Sequence, residues 1–432
     1  MSRRLPDRPR QRPAAAPTVN IVGVQGYAEL LVRQAELLSV DHLCRLGGIV
    51  IDRRYTDPNR YDQLVADHRA AGWTVFSTFD DLLTTLQPQS NTSDLLVLPV
   101  PIPLHRPMTE AAVAAGYNVL CEKPAAGSVR DLDAMDRAAT AAGRSLWFGY
   151  QHVLSRSMTT LFDQIAAGAA DVITSITVYA SWPRSEQYYQ RSGWAGKLYL
   201  DQIAVLDSPI QNAMAHFLQA ALHLASLAGW YPTTVDADHL RVNDIQTADT
   251  QVLRIATSGG NGGDGPPIFA ALAHSAGIHR DPVIHVTGTQ GSLRWSFPDK
   301  LESSADGRSW RTIYSGSLGE HLYGLAIKAA VLRLSATTDP VIRVENIVDS
   351  VRARMHTQVV EAAFGAMPRR TFPPRAIAVA HRNLVCLDGQ VYRTVAGLDA
   401  TLAKAVTDRA LLREVSTPWP EAILQVSRSI AR

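Results

Sequence analysis

Glu122-Lys123-Pro124 follows a short apolar run, Tyr117-Asn118-Val119-Leu120-Cys121, that reads as a buried strand. A lysine at the carboxyl end of such a strand is costly to desolvate, so its pKa shifts readily and its ammonium can orient or give a proton. Open α/β sheets bind their ligands at that same end of the strands. The plain alternative is a strand-end lysine paired with the neighbouring glutamate. A second pair with chemical capacity is Asn212 and His216, in a stretch that opens at Ser208-Pro209 and reads as one long helix stopping near Gly229. Their spacing of four residues puts both on one helix face. Histidine titrates in the range that general acid–base work needs. The Asn212 amide can bind a hydroxyl or orient the imidazole. A satisfied core histidine is the alternative for His216. Asp207 and Ser208 read as helix caps, with Pro209 at the first helical position.

Gly23-Val24-Gln25-Gly26-Tyr27-Ala28 lies between the first strand and the first helix. There a helix N-terminus offers free backbone N–H groups to a pyrophosphate. Against the spacing G-x-G-x-x-G/A, Gly23 and Ala28 hold the first and last positions, Gln25 replaces the second glycine, and Gly26 is its neighbour. Asp52 ends the second strand, where an acid can bind ribose hydroxyls. Arg53 and Arg54 follow, and either could take a 2′-phosphate instead, so NAD and NADP both stay open. All three are otherwise ordinary solvated charges. Trp182, Tyr188, Tyr189, Trp194 and Lys197 precede the long helix and form either one wall of a sugar site or a core-covering loop.

The elements that must position these residues alternate in the first half. Strands over 18–22, 48–51, 73–76, 95–98, 117–121 and 145–149 are separated by helices over 29–39, 61–71, 79–86, the stretch from Pro107 to Gly116, and 128–142. Alternation of this kind, with continuous apolar strands, predicts a doubly wound parallel sheet over 18–150. After residue 150 the pattern changes. A helix over 157–167 and a strand over 172–182 precede the long helix. Strands over 239–246, 251–258, 268–275, 283–287 and 292–297 then follow without intervening helices, which predicts a mostly antiparallel sheet in an α+β domain over 151–370. Helices over 323–334 and 345–363 and a hairpin turning at Asp388-Gly389 complete the reading. Residues 1–17, with five arginines among prolines, read as a disordered tail, and 371–432 as a C-terminal extension.

A chain of 432 residues exceeds one hydrophobic core, so two domains are expected. The 46% hydrophobic and 19% charged composition is that of a soluble globular protein. A net charge of +2, with no aromatics interleaved among basic runs, argues against nucleic acid as a partner. Three scattered cysteines fit a reducing compartment and show no metal-type spacing, so no metal is expected. No apolar run approaches the roughly 20 residues of a membrane span. Arg3-Arg4 lacks the apolar segment of a secretion signal. Cytoplasmic location follows by default.

Pro99-Val100-Pro101-Ile102-Pro103-Leu104-His105, with Ala114 through Pro124, resembles the Gfo/Idh/MocA oxidoreductase family in order and spacing. Gly149-Tyr150-Gln151 resembles that family's crossing into its second domain. Gly288-Thr289-Gln290-Gly291-Ser292-Leu293 resembles its glycine turn between two strands of the open sheet. The resemblance implies a Rossmann domain followed by an α+β domain with a large, mostly antiparallel open sheet. It implies NAD or NADP and a sugar, polyol or sugar-like substrate. Lys123 would orient or protonate the reacting oxygen, while Pro101, His105, Glu122, Lys123 and Pro124 would meet the cofactor. Lys123, Trp194, Asn212 and His216 would meet the substrate. The family usually carries D-x-x-x-H on the long helix, and here Asn212 holds the aspartate's place. Assembly as a homodimer or homotetramer through the open sheet face is implied by analogy. The first functional reading is hydride transfer to or from a secondary alcohol or ketone, with Lys123 and His216 handling the proton. A redox-cycling glycosidase or lyase and a degenerate nucleotide- or sugar-binding protein are the two alternatives.

Overall fold

The computed structural model describes residues 16–86, 88, 93–317, 319, 321–365 and 377–430. Residues 1–15 of the expected tail and the expected boundary at 370/371 lie outside the described residues. The first half runs β1 (Thr18–Val22), α1 (Tyr27–Val40), β2 (Arg45–Val50), α2 (Pro58–Ala70), β3 (Thr74–Phe76), α3 (Phe79–Thr85), β4 (Leu95–Leu98), α4 (Ile102–Ala114), β5 (Asn118–Cys121), α5 (Val129–Ala141) and β6 (Leu146–Phe148). The strands pair in parallel in the order β3-β2-β1-β4-β5-β6. The order reverses between β1 and β4, which opens a crevice beyond their carboxyl ends. Every residue of β4 and β5 is buried, as a sheet covered on both faces requires.

The second half opens with α6 (Arg156–Ala166) and β7 (Ile173–Ser181). A segment with α7 (Glu186–Gln190) and a small hairpin, β8 (Tyr199–Leu200) and β9 (Ile203–Ala204), leads to a π-helical turn, Pro209–Ala213, and then α8 (Ala215–Leu227). Seven strands follow: β10 (Trp230–Leu240), β11 (Thr250–Gly259), β12 (Ile268–Ala273), β13 (Arg280–Gly288), β14 (Ser292–Ser296), β15 (Lys300–Ser304) and β16 (Arg311–Ser315). The chain then forms α9 (His321–Leu334), β17 (Val348–Asp349), α10 (Ser350–Phe364), the hairpin β18 (Arg382–Leu387) and β19 (Gln390–Val395), α11 (Leu398–Asp408) and β20 (Leu424–Ser429). The large sheet has nine strands in the order β16-β15-β14-β13-β7-β12-β11-β10-β20, and only β7 and β12 pair in parallel. The expected fold class is the one observed.

Local structure departs from the sequence reading where a polar side chain or a missing N–H decides. Helix α4 begins at Ile102 rather than Pro107, because Pro103 already fits its first turn and Pro107 lies inside it. The strand expected over 239–246 ends at Leu240. There the buried Asp249 carboxylate accepts from the Val242 and Asn243 amides and turns the chain. The helix expected over 345–363 begins only at Ser350, where Asp349 accepts from the Arg352 amide at 3.0 Å. Just before it, β17 pairs antiparallel with β6, so the second half adds an edge strand to the first sheet.

The large sheet is buried on both faces over β10–β12. Along β12, Ile268, Ala270 and Leu272 point into the main core. Phe269, Ala271 and Ala273 point the other way, as strand alternation dictates. That second face is covered by the C-terminal stretch through Leu398, Leu402, Leu411 and Trp419, and β20 extends the same sheet beside β10.

Candidate active site

The site is built at the carboxyl end of β5. The Glu122 amide donates to the Leu98 carbonyl and the Gly149 amide to the Cys121 carbonyl, so the three loops after β4, β5 and β6 leave the sheet together. Glu122 is buried, and its carboxylate accepts from the Lys123 amide at 3.0 Å. Gly149 makes room for it, since a Cβ there would lie 2.4 Å from Oε1 of Glu122. Burial lifts the Glu122 carboxyl to about 7, against the opposing pull of Lys123. The Lys123 ammonium is pushed down by the same burial, while Glu122 and Asp207 hold it up. Its Nζ donates to Oδ1 of Asn212 at 2.9 Å and to the Asn212 carbonyl at 3.0 Å.

Asn212 and His216 do not share one helix. The π-helical turn ends at Met214, whose φ of −115° breaks the period before α8 begins. Asn212 therefore turns to Lys123, and His216 to an aromatic group. The His216 ring meets that of Tyr150 at 5.9 Å and that of His152 at 4.7 Å between centroids. Tyr150 also contacts His356, whose Nε2 lies 3.0 Å from the Ile210 carbonyl. That carbonyl takes the ring proton, so His356 Nδ1 accepts from the Tyr150 hydroxyl at 3.2 Å. Burial drives His216 well below the usual histidine range, with His152, Lys123 and His356 adding to the shift. Against the expected titration near neutrality, burial pushes His216 toward the neutral imidazole, and among the described residues its buried Nδ1 has no hydrogen-bond partner. His152 is likewise pushed down, to about 3, by burial and by Lys123.

The glycine turn lies at the end of β1, beside these loops. Gly23 has φ +98° and Gly26 φ +62°, backbone that side chains disfavour. Gly26 precedes α1 and has no side chain to cap its first-turn amides, and the space where its Cβ would lie is open. These features suit a pyrophosphate, and Gln25, in the place of the second glycine, is half-buried. Tyr27 accepts from Gln151 Nε2 at 3.1 Å and so ties the turn to the crossing after β6. At the end of β2, Arg54 grips the Asp52 carboxylate through Nε at 3.0 Å and Nη2 at 2.6 Å, and holds it below its usual range. Arg53 stacks on Tyr61 at 4.4 Å and pairs with Asp62.

Pro101 stands exposed at the start of α4, and Pro124 is buried in the loop that follows β5. His105 is buried instead, its two nitrogens on the carbonyls of Val100 and Ala125, where it ties the β4 and β5 loops together. Trp194 reaches Lys123 only through Arg191, Asp207 and Asn212: its ring lies under Arg191, whose Nη2 is 3.4 Å from Asp207. A cavity of about 560 Å³ is lined by His105, Gly127 and Ala204 and not by Lys123. Sequence reasoning missed three buried residues here, His152, His356 and Asp207. His152 directly follows the Gly149-Tyr150-Gln151 crossing and was in reach; nothing local marks His356.

The fold and site define a dinucleotide-binding Rossmann domain joined to an α+β domain that closes on its lysine. Residues 55–150 match the model of the Gfo/Idh/MocA group, described as an oxidoreductase family with an NAD-binding Rossmann fold. Among curated proteins this chain is similar to a 1,5-anhydro-D-fructose reductase of Ensifer adhaerens, 26% identical over 192 residues, 44% of either chain. It is also similar to a dTDP-3,4-didehydro-2,6-dideoxy-alpha-D-glucose 3-reductase of Streptomyces violaceoruber, 31% identical over 90 residues, 21% of this chain and 26% of the relative. The chain thus spans less than half the length of these curated relatives. Among solved structures, the WlbA dehydrogenase from Bordetella pertussis, in complex with NADH and UDP-GlcNAcA, aligns with a TM-score of 0.63 at 20% identity, over 81% of this chain and 94% of that one. An aldose-aldose oxidoreductase from Caulobacter crescentus aligns with a TM-score of 0.61 at 19% identity, over 81% and 97%. At these identities the likeness is one of fold.

Proposed function

We propose that this chain is an NAD(P)-dependent oxidoreductase acting on a sugar, polyol or sugar-like secondary alcohol or ketone. The observation that carries this reading is the Lys123 ammonium, held on Asn212 at the carboxyl end of β5 and beside an uncapped α1. The glycine turn over 23–28 would hold the pyrophosphate, and Asp52 or Arg54 the adenosine ribose or its phosphate. Pro101, Glu122 and Pro124 would border the reactive ring. When bound, the nicotinamide supplies the hydride chemistry. Lys123 has three N–H donors; two go to Asn212, and the third is assigned to the reacting oxygen. In the reducing direction Lys123 would give that N–H proton to the reacting oxygen; in the oxidising direction the ammonium would steady the oxygen while the alcohol's proton leaves to neutral His216. The mostly sugar-directed names of the relatives support the substrate class. A cytoplasmic homodimer or homotetramer is proposed with it. The C-terminal cover over β10–β12 directs any contact through the large sheet to the β13–β16 half.

The test is Lys123→Met, which keeps the stem and removes the donor. Turnover with a sugar-class substrate is expected to fall by about 10² to 10⁴, while binding of the nucleotide, read by calorimetry, persists. Undiminished turnover would refute the assignment.

A further inference from the structure

Asp207, read from sequence as a helix cap, makes no cap. The residue before the π-helical turn is Ser208, and its side chain bonds none of the turn's amides. The Asp207 carboxylate is buried behind Asn212, and its Oδ1 accepts from Asn212 Nδ2 at 2.8 Å. Its Oδ2 accepts from the Gly196 amide at 2.7 Å and lies 3.4 Å from Arg191 Nη2. The Asp207 carbonyl accepts from Thr247 Oγ1 at 2.6 Å, so the residue is fixed at both ends.

We propose that Asp207 is a positioning residue that acts on Lys123 through the side-chain amide of Asn212. The chemistry of an amide makes the link directional. Nδ2 can only donate and Oδ1 can only accept. With a carboxylate behind and an ammonium in front, one orientation satisfies both neighbours, and the flipped one opposes both. The acid missing at position 212 is therefore present one link further back. Its charge still favours the ammonium form of Lys123, second only to Glu122 among the groups that do so. Arg191 and Arg184 oppose it, and Lys123 in turn acts on His152, His216 and His356. The inference deepens the oxidoreductase reading by naming what sets the charge and direction of Lys123.

The chain has five lysines, so ¹³Cε-lysine NMR resolves the Lys123 signal, assigned by its loss in Lys123→Met. Asp207→Asn is expected to move the Lys123 titration midpoint to lower pH. The double variant Asp207→Asn with Asn212→Asp, which puts the acid directly on the lysine, should bring it back. A role in packing alone would lower the melting temperature and leave the midpoint in place, and that result overturns the proposal. Should Asp207→Asn not fold, Arg191→Gln removes the cation that competes for the carboxylate from a partly exposed position. There the midpoint is expected to rise, and an unmoved midpoint overturns the proposal equally. No nucleotide or substrate enters the measurement, so its outcome is independent of whether the chain binds NAD(P).

Discussion

Glu122 and Lys123 share one desolvated corner, and their titrations move toward each other for the same reason. Burial lifts Glu122 to about 7, far above the range of a free glutamate. The folded chain therefore holds that proton more tightly than the unfolded one. The stabilisation it brings is complete below about pH 4.3 and is lost as pH rises through 7. Buried histidines act in the opposite sense, since His152 and His356, depressed to about 3 and about 4, cost stability as pH falls below 6.5. Both proteins share the histidines, so the difference between Glu122→Gln and wild type isolates the glutamate. The variant is expected to gain in relative melting temperature from pH 5 to pH 7.5; a flat difference would contradict a raised Glu122. Lys123 was legible in the sequence because strand, lysine and proline stand in one contiguous run. Asp207 was not, because Asp-Ser-Pro before a helix has the pattern of a cap, and only the tertiary path shows the carboxylate turned inward. Nor does spacing reveal that His216 is too buried to titrate near neutrality.

At the scale of elements, the site depends on how closely the β8–β9 hairpin lies on the Lys123 loop. A Cβ at Gly127 would stand 1.7 Å from the Ala204 carbonyl oxygen, a backbone atom that no rotamer change can move. Gly127→Ala should therefore shift the hairpin and destabilise the fold by about 1–3 kcal/mol. Urea denaturation reads the loss, and limited proteolysis within 199–204 reads the displacement. A variant with wild-type stability and protection would show that the hairpin does not pack there. The alternating strands and helices of the first half were legible because their hydrophobic periods are long and unbroken. The helix expected over 208–229 was misread at its start, since an apolar period of 3.6 cannot announce the π turn that separates Asn212 from His216. Helix α4 was misread for the converse reason: two prolines stand close together, and only the first sits in its opening turn.

For the whole molecule, the two sheets and the C-terminal cover form one packing problem. Among the described residues, the far face of β10–β12 is covered by the chain from Ile377 onward, with Trp419 fully buried in that cluster. Trp419→Ala should cost about 3–5 kcal/mol, read as a lowered urea midpoint. A loss near zero would mean that the cover is not part of the folded unit. Length and composition could suggest two domains, yet not that the last strand returns to the large sheet. The central claim, that Lys123 stands in a working dinucleotide cleft, is tested most directly by calorimetric titration of the purified chain with NAD⁺, NADH, NADP⁺ and NADPH. Saturable binding of one oxidised and reduced pair, kept in Lys123→Met, is the predicted result. Failure of all four to bind would contradict it.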